Sequence, residues 1–289
     1  MSKSTLTNSN VTVIIRATDE RSIEACKQCV LTEIKESNLH IIKEVPFSKA
    51  VQKTFEIGIA SNEKWTLAID ADLILLPNAI TNMLKAAEKY NDNLYVFQGF
   101  ILDKFKCGIR QGGPHLYKTE NLKIALKLVD DIEMSLRPES DIYKKMSKQG
   151  YDIVLEKKIY ALHDFFQYYK DIYRKAYFHG IKHKGWKTLL PKWLDKGSLD
   201  FDYRIASIGF LDGYYAEKQV YPSINEFDSK VKYLLFTQLN IEEKEILNLI
   251  DIEKIKETIS SYNIDYNSDL DIIFPKKPLL IRIKNKLFP

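Results

Sequence analysis

Two almost purely apolar runs constrain the fold of this chain most. Val11–Arg16 reads VTVIIR and residues 65–69 read WTLAI, as expected of strands buried on both faces of a sheet. Helical spacing of apolar residues follows at residues 20–34 and 49–60, with a second short strand at residues 40–45 between them. Because strands that alternate with helices are usually joined by crossovers, this order predicts an α/β, Rossmann-type, mostly parallel sheet with helices on both faces.

The strand–helix series continues to about residue 165, where the character of the sequence changes. We expect a helix over residues 77–90, a strand over residues 94–102 and a helix over residues 119–129. Helical patterns then follow one another without a comparable series of strands. We therefore predict an α/β domain at residues 1–165 and a mainly helical C-terminal region at residues 166–289.

Charge, cysteine content and hydropathy exclude several classes of protein. A net charge of +4 does not call for a nucleic-acid partner, and three cysteines in 289 residues argue for a reducing compartment rather than a disulfide scaffold. Residues 1–10 lack the apolar core of a signal peptide, and the chain has no apolar run of about 18 residues. We expect a cytoplasmic protein, either free or lying on the inner face of the membrane, and leave its oligomeric state open.

The strongest local signal is Asp70-Ala71-Asp72, which directly follows the second apolar run. Open α/β sheets bind ligands at the carboxyl ends of their strands. Buried carboxylates are costly unless a cation pairs with them, and Mn²⁺ or Mg²⁺ would suit these oxygens and leave room for a diphosphate. A solvated acidic loop is the alternative, but the apolar residues on both sides of the motif argue against it. We expect Asp70 and Asp72 to bind a metal ion.

Residues 65–72, followed by a proline-initiated helix, resemble the D-x-D segment of GT-A glycosyltransferases, particularly the family-2-like group. In the same chain order, TFEIGIA at residues 54–60 resembles the helix that precedes that segment. HLYKTENL at residues 115–122 resembles the strand-to-helix segment beside the acceptor site. The resemblance covers residues 11–165. It implies transfer of a sugar from a nucleotide-sugar donor to a hydroxyl acceptor, with inversion, in the synthesis of a bacterial surface glycan.

Three further segments resemble the catalytic half of that family in chain order: PESD at 138–141, GYDIV at 150–154 and ALH at 161–163. The resemblance implies that Glu139 is the catalytic base. The acidic pair is not adjacent here, however, so Asp141 is the other candidate for that role. The resemblance also implies that His163 is a third metal ligand. A carboxylate favoured by a helix N-terminus is the alternative for Glu139, and a core or surface histidine is the alternative for His163.

The loop after the first strand supplies the expected nucleotide contacts, namely Arg16, Thr18 and Asp19, together with Asp70; an ordinary solvated loop is the alternative. A nucleotidylyltransferase is the rival enzyme. It would normally carry a glycine-rich basic loop at this place, and residues 16–21 contain no glycine. The non-enzymatic alternative is a glycan- or lipid-binding module on a transferase fold.

Two segments of the C-terminal region bear on partners. Residues 168–186 interleave tyrosines with basic residues, which fits a packed helix, an interfacial membrane contact or, least well beside a sugar transferase, single-stranded nucleic acid. Residues 275–289 hold five Lys or Arg residues and no acid, which fits an anionic membrane surface or a tail packed on its own domain. The expected partners are a nucleotide-sugar, a glycan or lipid-linked glycan acceptor and a membrane surface, but no nucleic acid.

Overall fold

The computed structural model describes residues 8, 10–129, 135, 137–216 and 224–264. Within these ranges the strands are β1 (Val11–Arg16), β2 (Leu39–Ile42), β3 (Trp65–Asp70), β4 (Leu73–Leu75), β5 (Leu94–Asp103), β6 (Gly108–Lys118) and β7 (Asp152–His163). They form one sheet in the order β2-β1-β3-β6-β5-β7-β4. β1 is parallel to β2 and β3, and β5 is parallel to β7. β6 is antiparallel to both β3 and β5, and β4 is antiparallel to β7.

The α/β, Rossmann-like fold is confirmed, and the sheet is more mixed than the alternation of strands and helices predicted. The difference arises from β4 and β6. β4 is only three residues long and follows the D-x-D motif at once. β6 has the sequence GIRQGGPHLYK, whose first half is polar, glycine-rich and only partly buried. Neither strand carries the long apolar run by which β1 and β3 were recognised.

Helices cover both faces of the sheet, as predicted. They are α1 (Ile23–Leu31), α2 (Phe47–Ser61), α3 (Ala79–Ala87), α4 (Thr119–Leu126) and α5 (Pro138–Lys148). α1 and α3 share a hydrophobic cluster with Leu67 and Ile69 of β3. Ala68, on the opposite face of the same strand, joins the cluster formed by α2, α4 and α5. Alternate residues of β3 therefore enter different cores, which explains why its sequence is apolar throughout.

The described residues after β7 are helical or irregular. The helices are α6 (Tyr169–Lys182), α7 (Leu190–Lys196), α8 (Phe201–Tyr214), α9 (Ile224–Tyr233) and α10 (Ile252–Ser260), with 3₁₀ turns at Glu36–Asn38 and Lys184–Leu189 and a π-helical turn at Leu234–Leu239. Tyr173 and Tyr177 of α6 are buried in a cluster with residues of α8 and α9. The tyrosine-rich stretch is thus a packed helix over α6. The domain boundary near residue 165 stays a prediction.

Two observations bear on a membrane. In the described part of the chain, no helix combines the length and the apolar character needed to cross a bilayer. The basic tail at residues 275–289 lies outside the described residues. Its contact with a membrane surface therefore stays a prediction.

Candidate active site

Arg16, the last residue of β1, joins two of the carboxylates that the sequence singled out. The parallel register of β1 and β3 sets Arg16 opposite Asp70, and the Nε atom of Arg16 donates to Oδ1 of Asp70 at 2.8 Å. Its Nη1 atom donates to Oε1 of Glu139 at 2.7 Å. Only 3% of the Arg16 side chain is exposed, so the two carboxylates neutralise a charge that burial would otherwise make costly.

Glu139 lies in the first turn of α5, which begins at Pro138. The hydroxyl of Tyr117 donates to Oε1 of Glu139 at 2.9 Å, and Nε2 of His115 is 3.5 Å from Oε2. Burial by itself would raise the pKa of Glu139, but Arg16 and His115 outweigh it and hold this pKa at about 2. In the free protein Glu139 is therefore ionised and only weakly basic.

Asp141, two residues further along α5, faces other partners. Ser135 donates to its Oδ2 at 2.6 Å, and Lys144 donates to its Oδ1 at 2.9 Å. It has no contact with Arg16, His115 or Tyr117 among the described hydrogen bonds and ion pairs. Of the two candidate bases, the structure brings only Glu139 to the D-x-D motif.

Asp72 belongs to a second cluster, at the junction of β4, β7 and α6. The Nζ atom of Lys175 lies 2.5 Å from Oδ2 of Asp72 and 2.5 Å from Oδ1 of Asp164. Burial would raise the pKa of Asp72, but Lys175 and His163 outweigh it and lower this pKa to about 2. Asp70 differs: burial dominates and raises its pKa despite the contact with Arg16.

His163, the last residue of β7, is surrounded by acids. Its Nδ1 atom is 3.0 Å from Oδ2 of Asp103 and 3.1 Å from Oδ2 of Asp164, and its Nε2 atom is 3.6 Å from Oδ2 of Asp72. Burial would lower the pKa of His163, but the neighbouring carboxylates, led by Asp164, raise it. At these distances the neutral ring can act as a metal ligand, and the protonated ring can act as a cation that pairs with the carboxylates.

The fit of a divalent ion depends on Lys175. Asp72, His163 and Asp164 each offer one ligand atom, and these atoms all lie within 4.8 Å of one another. Oδ1 of Asp72 is buried without a hydrogen-bond partner among the described residues, which is also consistent with a cation. The ammonium group of Lys175, however, already lies between two of the three ligands. The donor set therefore suits Mn²⁺ or Mg²⁺ only if Lys175 moves away, and Asp70 is not part of it.

The ion pair between Arg16 and Glu139 has one partner in the lining of each of two cavities. The cavity on the β1 side has a volume of about 300 Å³ and is lined by Arg16, Ala17, Thr18, Glu20, Glu44, Val45, Phe47, Ala50, Asp70 and Asp72. The cavity on the α5 side has a volume of about 500 Å³ and is lined by Gln98, Arg110, Gln111, Gly112, His115, Arg137, Glu139, Ser140, Tyr143, His179, His183 and Trp186. Asp70 and Glu139 thus face different cavities and share one guanidinium group.

The predicted nucleotide contacts in the loop after β1 do not all lie at the same cavity. Thr18 lines the β1-side cavity, and its backbone N–H donates to Oε2 of Glu20 at 2.7 Å. Asp19 points elsewhere: 83% of its side chain is exposed, and it pairs with Lys43 at 3.0 Å. The structure therefore brings together Arg16, Thr18 and Asp70, and leaves Asp19 outside the cavity.

Several residues of the site belong to no sequence motif that identifies them as functional. His115 and Tyr117 lie in the segment that resembles an acceptor-side element, which was an indirect signal for them. Asp164 directly follows the predicted ligand His163. Lys175 carried no signal, because its role depends on how α6 packs against β4 and β7.

Comparison with known proteins gives remote structural likeness only. No protein-family model and no curated protein matches the chain. Bifunctional IspDF from Campylobacter jejuni is 13% identical over 51% of this chain and 49% of that chain, with a TM-score of 0.32. The 2-C-methyl-D-erythritol 4-phosphate cytidylyltransferase from Thermus thermophilus is 12% identical over 51% of this chain and 88% of that chain, with a TM-score of 0.35.

A third solved structure is a glycosyltransferase involved in the glycosylation of the major capsid of PBCV-1. It is 13% identical over 53% of this chain and 82% of that chain, with a TM-score of 0.32. Likeness this remote assigns no function. The function proposed below therefore rests on the geometry of the site and on the motifs that led to it.

Proposed function

We propose that this protein transfers a sugar from a nucleotide-sugar donor to a hydroxyl acceptor, with inversion at the anomeric carbon. One observation carries the proposal: Arg16 bridges a D-x-D carboxylate, Asp70, and a separate acidic residue, Glu139, at the carboxyl edge of the sheet. A donor in one cavity and an acceptor in the other would then react at the bridge between them. This is the arrangement that single displacement requires, with the leaving group and the base on opposite sides of the reacting carbon.

The β1-side cavity suits the donor nucleotide. Val45 and Phe47 expose 67% and 43% of their surfaces there, which gives a nucleobase an apolar wall. Glu44 lies beside them and offers oxygen acceptors for a base or a ribose hydroxyl. The Nη2 atom of Arg16 is buried without a partner among the described residues. A diphosphate oxygen would satisfy that donor, because a buried unpaired N–H of a charged group is costly.

The chemistry then follows from these positions. The acceptor hydroxyl attacks the anomeric carbon, the bond from that carbon to the diphosphate oxygen breaks, and its electron pair leaves with the nucleoside diphosphate. The hydroxyl proton passes to the carboxylate of Glu139, which acts as general base. Arg16 links the two events: once its guanidinium turns towards the diphosphate, it holds Glu139 less strongly. The pKa of Glu139 then rises from its low value in the free protein, and its basicity increases with it.

The negative charge of the diphosphate needs a cation near Asp72. Mn²⁺ or Mg²⁺ would supply Lewis-acid stabilisation of the leaving group, held by Asp72, His163 and Asp164 after Lys175 has moved. The ammonium group of Lys175, which pairs with Asp72, is the alternative source of positive charge at this position.

Nucleotidylyl transfer is less well supported as the reaction. It would need a phosphate-binding loop after β1, but this loop contains no glycine and the N–H of Thr18 is already bound to Glu20. A surface or lipid-linked glycan as acceptor, and a membrane surface as its location, are supported by the family resemblance and the basic tail alone.

The test is release of nucleoside diphosphate from a panel of nucleotide-sugars, with the anomeric configuration of any product read by NMR. We expect one donor class to be hydrolysed slowly by water and rapidly once a suitable acceptor is present. Asp70→Asn should lose this release, whereas Glu36→Gln, a change at a surface side chain that is 78% exposed, should keep it. A product that retains the donor's configuration, or equal release by the Asp70 variant, would rule out the proposed reaction.

A further inference from the structure

Lys175 and a divalent ion would compete for the same acidic residues at the D-x-D motif. The ammonium group lies 2.5 Å from a carboxylate oxygen of Asp72 and 2.5 Å from one of Asp164, and 25% of the Lys175 side chain is exposed. Asp72 and Asp164 are two of the three residues that could hold an ion. Mg²⁺ requires such oxygens at about 2.0–2.1 Å, so an ion bound by both of them would displace and repel the ammonium group.

Each carboxylate of the D-x-D motif already has its own cation from the protein. Asp70 accepts a hydrogen bond from Arg16 at 2.8 Å, and Asp72 accepts one from Lys175. A D-x-D pair usually needs an ion because two buried carboxylates cannot remain ionised without counter-charge. Here Arg16 and Lys175 meet that need from β1 and α6.

Arg16 and Asp72 each keep one polar atom without a hydrogen-bond partner beside the β1-side cavity. The Nη2 atom of Arg16 and the Oδ1 atom of Asp72 are both buried without a partner among the described residues, and both residues line that cavity. An anionic oxygen would satisfy the first atom and a sugar hydroxyl the second. A ligand that carries both groups is a nucleoside diphosphate sugar, which is the donor class of the proposed reaction.

We propose that Lys175 takes the place of the divalent ion, so that Arg16 and Lys175 together neutralise the donor's diphosphate without a metal. The role in diphosphate binding rests on the proposed function. The exclusion of a metal ion by Lys175 does not, because it follows from the ligand cluster alone. The two parts are therefore tested with separate readouts.

The first readout is Mn²⁺ binding by the full chain without nucleotide, followed by electron paramagnetic resonance of the free ion. We expect the wild-type protein to bind Mn²⁺ weakly and Lys175→Met to bind it about tenfold or more tightly, since the competing ammonium is gone. Lys170→Met, on the same helix but outside the cluster, is the matched control and should behave as wild type. Equal Mn²⁺ affinity of the wild-type protein and Lys175→Met would overturn the proposal.

The second readout is binding of nucleoside diphosphates in EDTA, measured by calorimetry. The wild-type protein should bind one of them, Lys175→Met should lose about tenfold or more in affinity, and added Mn²⁺ should restore the variant. Wild-type binding that appears only with Mn²⁺ would overturn the proposal. If no nucleoside diphosphate binds under either condition, the proposed function fails, and Mn²⁺ binding alone decides whether Lys175 excludes the ion.

Removal of Lys175 leaves two buried carboxylates without their shared cation, so folding needs its own control. If Lys175→Met melts at low temperature in EDTA, Mn²⁺ should raise its melting temperature and leave that of the wild-type protein unchanged. Lys175→Arg keeps a cation and should remain insensitive to Mn²⁺. A Mn²⁺-induced rise of equal size in all three proteins would contradict the assignment.

Discussion

The Nη1 atom of Arg16 donates to Oε1 of Glu139 at 2.7 Å across a separation of 123 residues. The same oxygen accepts a hydrogen bond from Tyr117, so Glu139 is fixed in position and kept ionised in the free protein. Because Arg16 also holds Asp70, any ligand that draws the guanidinium towards the D-x-D side alters the basicity of Glu139 on the other.

The first prediction concerns the base. Glu139→Gln keeps the size of the side chain and one acceptor oxygen for Arg16 and Tyr117, but it cannot take up the acceptor's proton. We expect this variant to bind nucleoside diphosphate as the wild-type protein does and to lose a factor of roughly 10²–10⁴ in turnover. Asp141→Asn is the control and should lose little. The reverse order of the two losses, measured by steady-state kinetics, would transfer the role to Asp141.

The sequence predicted those parts of the fold and site that depend on local patterns. β1 and β3 could be predicted because both of their faces are buried, and Asp70 and Asp72 were singled out because they follow an apolar run. Glu139 was singled out only because residues 138–141 resemble a segment of a known family. β6 was predicted only at its C-terminal end, residues 115–118, because its first half is glycine-rich and polar. Its position between β3 and β5, which makes the sheet mixed, depends on tertiary pairing rather than on any local pattern.

The rest of the site could not be predicted because it depends on contacts between distant segments. Lys175 is an ordinary basic residue of a helix until the packing of α6 sets it beside Asp72, 103 positions away. Asp103 and Arg110 meet His163 only because β5 lies between β6 and β7 in the sheet. The sequence predicted a metal ion at Asp70, Asp72 and His163, and it does not reveal that Arg16 and Lys175 pair with the two aspartates. Metal binding stays a prediction.

The second prediction concerns acid stability. Asp72 and Glu139 have pKa values of about 2 in the folded protein, below the usual values of about 4 for unfolded chains. Depressed values mean that both groups stabilise the fold above pH 4, and that this contribution is lost as the pH falls from about 4 to about 2. Each contributes on the order of 2 kcal/mol to the free energy of unfolding.

Urea unfolding measured at a series of pH values tests this prediction. The free energy of unfolding of the wild-type protein should decrease steeply over that range. That of Glu139→Gln should decrease less steeply, because the proton that Glu139 takes up on unfolding is absent from the variant. Asp141→Asn should follow the wild-type curve closely. Parallel curves for the wild-type protein and Glu139→Gln would contradict the low pKa of Glu139.

The third prediction concerns Asp171, a buried acid in the first turn of α6. Its Oδ2 atom has no hydrogen-bond partner among the described residues, and burial raises its pKa to about 6, only partly opposed by Arg174 at 3.3 Å. A raised pKa means that the ionised group destabilises the fold, increasingly as the pH rises from about 4 to about 6. Asp171→Asn should therefore stabilise the protein by as much as about 3 kcal/mol at pH 7.5.

The pH dependence of that gain separates it from a packing effect. The advantage of Asp171→Asn in chemical unfolding should shrink as the pH is lowered from 7.5 to 4.5, because the wild-type carboxyl is then neutral in the folded state. A gain that is independent of pH, or a loss of stability at pH 7.5, would show that Asp171 is well accommodated as an anion.

The last prediction concerns the contact between α6 and α8. A Cβ atom on Gly213 would lie 2.0 Å from the backbone oxygen of Tyr177, and one on Gly180 would lie 2.3 Å from that of Phe210. Because the obstacles are backbone atoms, Gly213→Ala must push the helices apart, at a cost of about 1–3 kcal/mol that exceeds the higher helix propensity of alanine. Gly185→Ala, with open space around the added methyl group, is the control. We expect urea unfolding to show a clear loss for Gly213→Ala alone, and equal stabilities would contradict this close helix packing.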